Sequence, residues 1–134
     1  MMKIQSYEFS GQGMSRVYEN EKWTVGVKNW KPMNDISGID RLERHNETDE
    51  LFVLLQGKCT LVFANDNHDG IMIDYVRMEP FKVYNIPKAL WHNTITEQNT
   101  KLLLIEDSST SSQNSNEMML STNQIDEIKS RYAD

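Results

Sequence analysis

Arg41-Leu42-Glu43-Arg44-His45-Asn46-Glu47-Thr48-Asp49-Glu50, running on into Leu51-Phe52-Val53-Leu54-Leu55 and closed by Gln56-Gly57-Lys58, is the stretch whose reading decides the fold. It reads as the end of one strand, a polar turn over residues 46–49 and the start of the next strand, because short polar side chains can satisfy a turning backbone. Side chains two apart on a strand point to the same face, so Glu43 and His45 share one. The turn brings Glu50 back beside His45. One imidazole and two carboxylates then meet across a single join, still short of the second nitrogen ligand that transition metals favour. It has to come from one of the two other histidines in the chain, His68 and His92.

His92 is well placed. In Val83-Tyr84-Asn85-Ile86-Pro87-Lys88-Ala89-Leu90-Trp91-His92-Asn93-Thr94 a β-rich run meets a proline, turns and restarts. The two segments together resemble the paired motifs of the cupin superfamily, over roughly residues 38–107. In the first motif His45, Glu50 and Gly57 stand on their expected positions, Gly38 lies one residue too close, and Glu43 replaces the first histidine. In the second, Pro87 and His92 match, while Phe81 and Ala89 stand where glycines are expected and Thr96 where an asparagine is. The resemblance implies an all-β, single-domain jelly-roll barrel with the site inside it, and a homodimer. It leaves the reaction open.

With the resemblance in hand, His45, Glu50 and His92 form a two-histidine, one-carboxylate set with open positions, suited to one divalent transition metal such as Fe, Mn, Ni or Zn. Glu43 is a fourth candidate ligand, its alternatives being a salt bridge with Arg41 on the same face or solvent. Two carboxylates held close repel one another, so without a cation Glu43 and Glu50 are expected to share a proton. By alternation Asn85 and Thr94 point inward as candidate substrate-binding residues, and Arg41 offers a charge to an anionic substrate. Trp30 and Trp91 read as barrel-mouth or core aromatics.

Three functions compete. The first is a metal-dependent cupin acting on a small molecule. The second is a non-catalytic cupin, without metal, that binds a small ligand or serves as a dimeric module; the missing motif histidine and glycines point that way. The third is a metal-free, epimerase-like cupin with a histidine as general base, disfavoured because no His-Asp pairing and no basic cluster for a diphosphate is evident. A metal-binding cupin fits the residues best.

Composition narrows the setting. A chain of 134 residues makes one domain that can bury roughly two thirds of its unfolded surface. Its 14 basic and 20 acidic side chains give a formal charge of −6, which argues against nucleic acid and anionic membranes as partners. No apolar run reaches the ~18 residues of a membrane span and no hydrophobic signal core opens the chain, so the cytoplasm is expected. The single Cys59 alternates with Leu61 and Phe63 and reads as a small core residue.

Taken in order, residues 1–22 are weakly patterned, with a loop signal at 10–13. Residues 23–28 alternate large apolar with small or polar, as a half-buried strand does. The run 51–55 is apolar on both faces and reads as a strand covered on both sides, entering a central hairpin with 59–64. A turn cluster at 65–70 leaves His68 in an exposed loop, and strands are expected at 71–77, 81–86 and 101–107. About seven short strands with almost no helix make an all-β pattern. The barrel therefore takes residues 1–107. Residues 108–117 read as an exposed polar linker, and 118–134 as a helical segment packing on the barrel or a partner subunit. Its helix is expected over 123–133, capped by Ser121 or Thr122, with Gln124 completing a capping box to Ser121 and with Ile125 and Ile128 on one face.

Overall fold

The strands fall where apolar residues alternate and break where glycine, proline or a polar cluster intervenes. A computed structural model describes residues 1–68 and 70–134, with the side chains of Asp66 and Asn67 left aside; Asp69, inside the expected turn at 65–70, lies outside the described residues. Among the described residues ten strands are formed: β1 (Gly13–Glu19), β2 (Trp23–Asn29), β3 (Arg41–His45), β4 (Glu50–Gln56), β5 (Cys59–Asn67), β6 (Gly70–Arg77), β7 (Val83–Ile86), β8 (Trp91–Thr96), β9 (Lys101–Asp107) and β10 (Ser115–Met119). The helix α1 (Thr122–Tyr132) follows. The strands make two five-stranded sheets, in the orders β1-β2-β9-β4-β7 and β10-β3-β8-β5-β6. Every pairing between strands is antiparallel.

Two apolar clusters hold this arrangement. Between the sheets, Phe52, Leu54, Leu102 and Leu104 of the first meet Cys59 and Leu61 of the second. On the far side of the second sheet, Leu42, Val62, Ala64, Ile73 and Ile95 are covered by Leu120 and by Ile128 of α1. The chain therefore builds a jelly-roll sandwich with a helix on one outer face. Ile128 is 1% exposed, and burying a side chain of that size stabilises by roughly 1.5–3 kcal/mol. The capping box between Ser121 and Gln124 forms as the sequence indicates. No helix among the described residues is long and apolar enough to cross a membrane.

Several expectations are corrected. The chain does not pair β4 with β5: they lie in different sheets, and Gln56-Gly57-Lys58 carries it from one to the other. Gly57 suits that crossing, with φ +75 and only 2.9 Å between an added Cβ and the Thr100 backbone. Gly38 is held more tightly still, since a Cβ there would clash with the Pro32 carbonyl oxygen. β4 is covered on one face only: Phe52 and Leu54 are buried, Leu51 and Val53 half-buried, Leu55 exposed. In β2 the large set Trp23, Val25 and Val27 faces outward, and the small or polar set Thr24, Gly26 and Lys28 lines the inside. A strand, β1, stands in the segment that reads as weakly patterned. Residues 108–117 are no free linker: Thr110 is 3% exposed, and from Ser115 the chain pairs with β3. Polar residues suit this strand because part of it faces a wet cavity. His68 is exposed, as expected.

Candidate metal centre

Register alone gathers the site. On the inner face of the second sheet Glu43 of β3 stands opposite His92 of β8, while Glu117 and Ser115 of β10 stand opposite Glu43 and His45. On the inner face of the first sheet Glu50 of β4 stands opposite Glu106 of β9. These rows face one another across a cavity of about 500 Å³ whose lining includes Glu43, His45, Glu50 and Glu106. His92 is buried behind it at 1% exposure.

The two imidazoles are aimed at the same point. His92 Nδ1 lies 2.9 Å from the Leu90 carbonyl oxygen and must carry the proton that it donates there, which leaves Nε2 as a lone pair when the ring is neutral. His45 Nδ1 lies 2.8 Å from Ser115 Oγ, so its Nε2 also faces inward. Glu50 Oε1 is 3.4 Å from His92 Nε2 and 3.6 Å from His45 Nε2, and Glu43 Oε1 is 4.0 Å from both. His92 Nε2 and Glu50 Oε1 are buried without a hydrogen-bond partner. Orphaned buried groups of this kind are uncommon and call for an explanation.

The spacing fits an ion. Two ligand atoms each about 2.1 Å from one centre lie roughly 3.0–3.4 Å apart at octahedral or tetrahedral angles. The Glu50 separations sit at or just above that range, the Glu43 separations of 4.0 Å lie beyond it, and all are long for direct hydrogen bonds. Two three-residue sets have ligand atoms all within 4.8 Å of one another: Glu43, His45 and His92, and His45, Glu50 and Glu106. The donors are nitrogens and carboxylate oxygens, as divalent first-row metals take them. The ring nitrogen of His92 remote from the site is held by a backbone carbonyl, the arrangement that orients a metal-ligating histidine.

Electrostatics set the carboxylates apart. Burial opposes ionisation of Glu50, but the nearby His45 and His92 imidazoles and the proton kept by Glu106 outweigh it and hold its carboxyl well below the usual carboxylate range. Glu106 moves the other way, pushed up to about 8 by burial and then by the neighbouring Glu50, despite the Arg16 guanidinium 3.1 Å away. His45 is raised by its contact with Glu50, against the opposing effect of burial. The carboxylate that crowds Glu50 is thus Glu106, its cross-strand neighbour, where the sequence suggests Glu43; Glu43 is 42% exposed in its side chain. Burial pushes the Cys59 thiol up to about 12, consistent with a core residue and not a nucleophile.

The candidate substrate residues separate. Asn85 is exposed on the outer face and bonds to Asp49 at 3.3 Å; Tyr84 and Ile86 take the buried positions of β7, so the expectation that Asn85 points inward is corrected. Thr94 is inward and 1% exposed, with an unpartnered Oγ1, but does not line the cavity. Arg41 pairs with Asp40 at 2.8 Å and Glu117 at 3.1 Å, not with Glu43. It borders a smaller recess of about 90 Å³, which shares Lys28, Lys31, Glu43 and Glu117 with the main cavity. Trp30 donates to Asp35 at 3.0 Å, and Trp91 carries the Arg44 guanidinium 4.4 Å from its ring centre, both outside the cavity lining. Glu106, Ser115, Arg16 and Lys28 are the site residues that sequence reasoning missed. Glu106 carried a signal: it continues the buried row Leu102, Leu104 at a spacing of two.

Two facing antiparallel sheets with a histidine–carboxylate cluster between them define a jelly-roll barrel of the cupin type. No family model and no curated protein matches the sequence. Solved structures do. A cupin-2 domain containing protein from Shewanella frigidimarina is 18% identical, with 74% of this chain and 84% of that chain covered and a TM-score of 0.54. Streptomyces PAC13 with uridine is 8% identical, covering 89% and 93%, with a TM-score of 0.60; Pac13 is described as a nucleoside dehydratase. KdgF from Halomonas is 11% identical, covering 77% and 87%, with a TM-score of 0.53. The chain has the cupin fold, and identities this low speak for the fold alone.

Proposed function

We propose that this protein binds one divalent transition metal through His45, His92 and Glu50, with Glu43 and Glu106 as further carboxylates, and that it binds or acts on a small molecule in the adjoining cavity. The observation that carries this reading is the convergence of both Nε2 atoms on Glu50 Oε1, with His92 Nε2 and that oxygen otherwise unpartnered. When bound, a metal such as Fe, Mn, Ni or Zn would supply Lewis-acid or redox chemistry to an oxygen ligand at an open position. The chain's own part is to orient the ligands: Leu90 fixes His92, Ser115 fixes His45, and Arg16 holds Glu106 against Glu50. The solved structures similar to this chain include Streptomyces PAC13 with uridine, in keeping with a small-molecule role for the cavity.

Elemental analysis of protein purified without chelator, beside a His45→Ala/His92→Ala double variant, tests the reading. Near-stoichiometric transition metal in the wild type and none in the double variant is expected. Wild-type protein that carries no metal and takes none up on addition would move the function to a ligand-binding cupin without metal.

A further inference from the structure

The wall opposite the histidines has a chemistry of its own. Lys28, on the inner face of β2, and Lys31, just beyond it, line both the main cavity and the smaller recess. Neither side chain has a hydrogen bond or an ion pair among the described contacts. The other charged groups there are engaged: Glu117 holds Arg41 at 3.1 Å, Glu106 holds Arg16 at 3.1 Å, and Glu43 reaches toward both histidines at 4.0 Å. Lys28 is half-buried, and burial lowers its pKa, with Lys31 adding to that effect and Glu43 and Glu50 opposing it. An ammonium taken out of water without a partner is unfavourable, and an anion delivered to it removes that cost.

We infer that the ligand of this cavity is a small organic anion whose carboxylate or phosphate group sits in the recess between Lys28 and Lys31, with the rest of the molecule extending toward His45 and Glu50. This rests on the metal reading above: an ion held by the carboxylates takes up their charge and leaves the two lysines as the uncompensated groups of the cavity. The recess, at about 90 Å³, has room for one oxyanion headgroup but not for a whole metabolite, while the cavity of about 500 Å³ holds the remainder. Arg41 borders the same recess and adds positive potential without being free to bind, since Asp40 and Glu117 occupy it.

The test compares matched probes on protein loaded with zinc: succinate against succinamide, and glycerol 3-phosphate against glycerol, by calorimetry near neutral pH and low salt. At least one anion should bind about tenfold or more tightly than its neutral partner, as a charge-assisted contact provides. Lys28→Met and Lys31→Met should each remove most of that preference with metal content unchanged. Which pair shows the larger difference tells a carboxylate from a phosphate. Equal binding in both pairs, no binding of either anion, or a preference that survives both substitutions would overturn the inference. Thermal melts show whether each variant folds, and Lys31→Met alone carries the test if Lys28→Met does not. Metal is measured on the same samples, so protein that holds no zinc but keeps the anion preference fails the metal reading and not this one.

Discussion

At the scale of single residues, the pair Glu50 and Glu106 decides how the metal-free site behaves. The two stand opposite each other in neighbouring strands, where like charges are destabilising, and one of them must keep its proton. Glu106 keeps it, with a pKa of about 8 against an ordinary 4.5. Between those values the folded chain binds a proton that the unfolded chain has released, so stability falls as pH rises through the window. His45 acts in the same direction, since a raised imidazole stabilises below its ordinary value of 6.5 and loses that stabilisation as pH climbs past the raised one. Glu50, held low, withdraws its contribution only on acidification below about 4.5, outside the window. Chelator-treated protein should therefore melt a few degrees lower at about pH 8 than at about pH 5, the size of effect that about 1 kcal/mol produces in a domain of this length. Glu106→Gln, which cannot ionise, should flatten the curve. A melting temperature that rises over this range in the wild type would show that Glu106 is ionised throughout.

At the scale of elements, the turns around β7 keep a backbone that their residues do not favour. Phe81 and Ala89 stand where the second cupin motif has glycines, and they are the two non-glycine residues with positive φ among those described, at 65° and 68°. Their amides hold the turns in place, Phe81 to the Leu54 carbonyl at 3.0 Å and Ala89 to the His45 carbonyl at 2.6 Å. The left-handed turns form here without glycine. The left-handed region costs a residue with a Cβ about 1–2 kcal/mol, partly offset by the greater freedom of glycine in the unfolded chain. Phe81→Gly and Ala89→Gly should each stabilise the protein by about 0.5–1 kcal/mol in urea unfolding. Phe81 is 76% exposed, so little packing is lost with its ring. Destabilisation by both changes would mean that the Cβ atoms make contacts worth more than the strain. These turns also show what was legible. The strands around His45, Glu50 and His92 could be read because turn residues and apolar runs bracket them: β9 falls at the limits read from the sequence, β3 ends and β4 begins where they were read, and β4 runs on through Gln56, which reads as turn. β10 could not, because a strand that lines a wet cavity carries the serines and asparagines of a linker. Nor could Lys28, because alternation gives two faces without saying which is inside, and in β2 the large apolar set faces out.

At the scale of the whole molecule, that outward set poses the remaining question. The outer face of the first sheet carries cross-strand rows of apolar side chains, Val25, Ile105 and Leu51 in one and Val27, Leu103, Val53 and Val83 in the next. Trp23 and Val83 are 46% and 61% exposed, while Val27 is 8% exposed at the end of the face where the Phe9 carbonyl accepts from Asn29 and Lys101; the matching face of the second sheet is covered by α1. A contiguous apolar face of this kind marks an interaction surface. We propose that a second copy covers it. A largely apolar sheet face, with Lys101 and Asp107 at the two ends of its central strand, can pair with its own copy under a two-fold axis, and the helix that covers the other sheet is already committed within the chain. A five-stranded face spans roughly 24 by 20 Å, about 480 Å² in projection, the scale of an interface somewhat smaller than the standard ~800 Å² per partner. Ile105 lies at its middle, between Val25 and Leu51. Light scattering at micromolar concentration should give a dimer for the wild type and a monomer for Ile105→Glu, with metal content unchanged because the site lies on the other side of the sheet. A wild type that is monomeric, or an Ile105→Glu variant that melts normally and stays dimeric, would place the interface elsewhere.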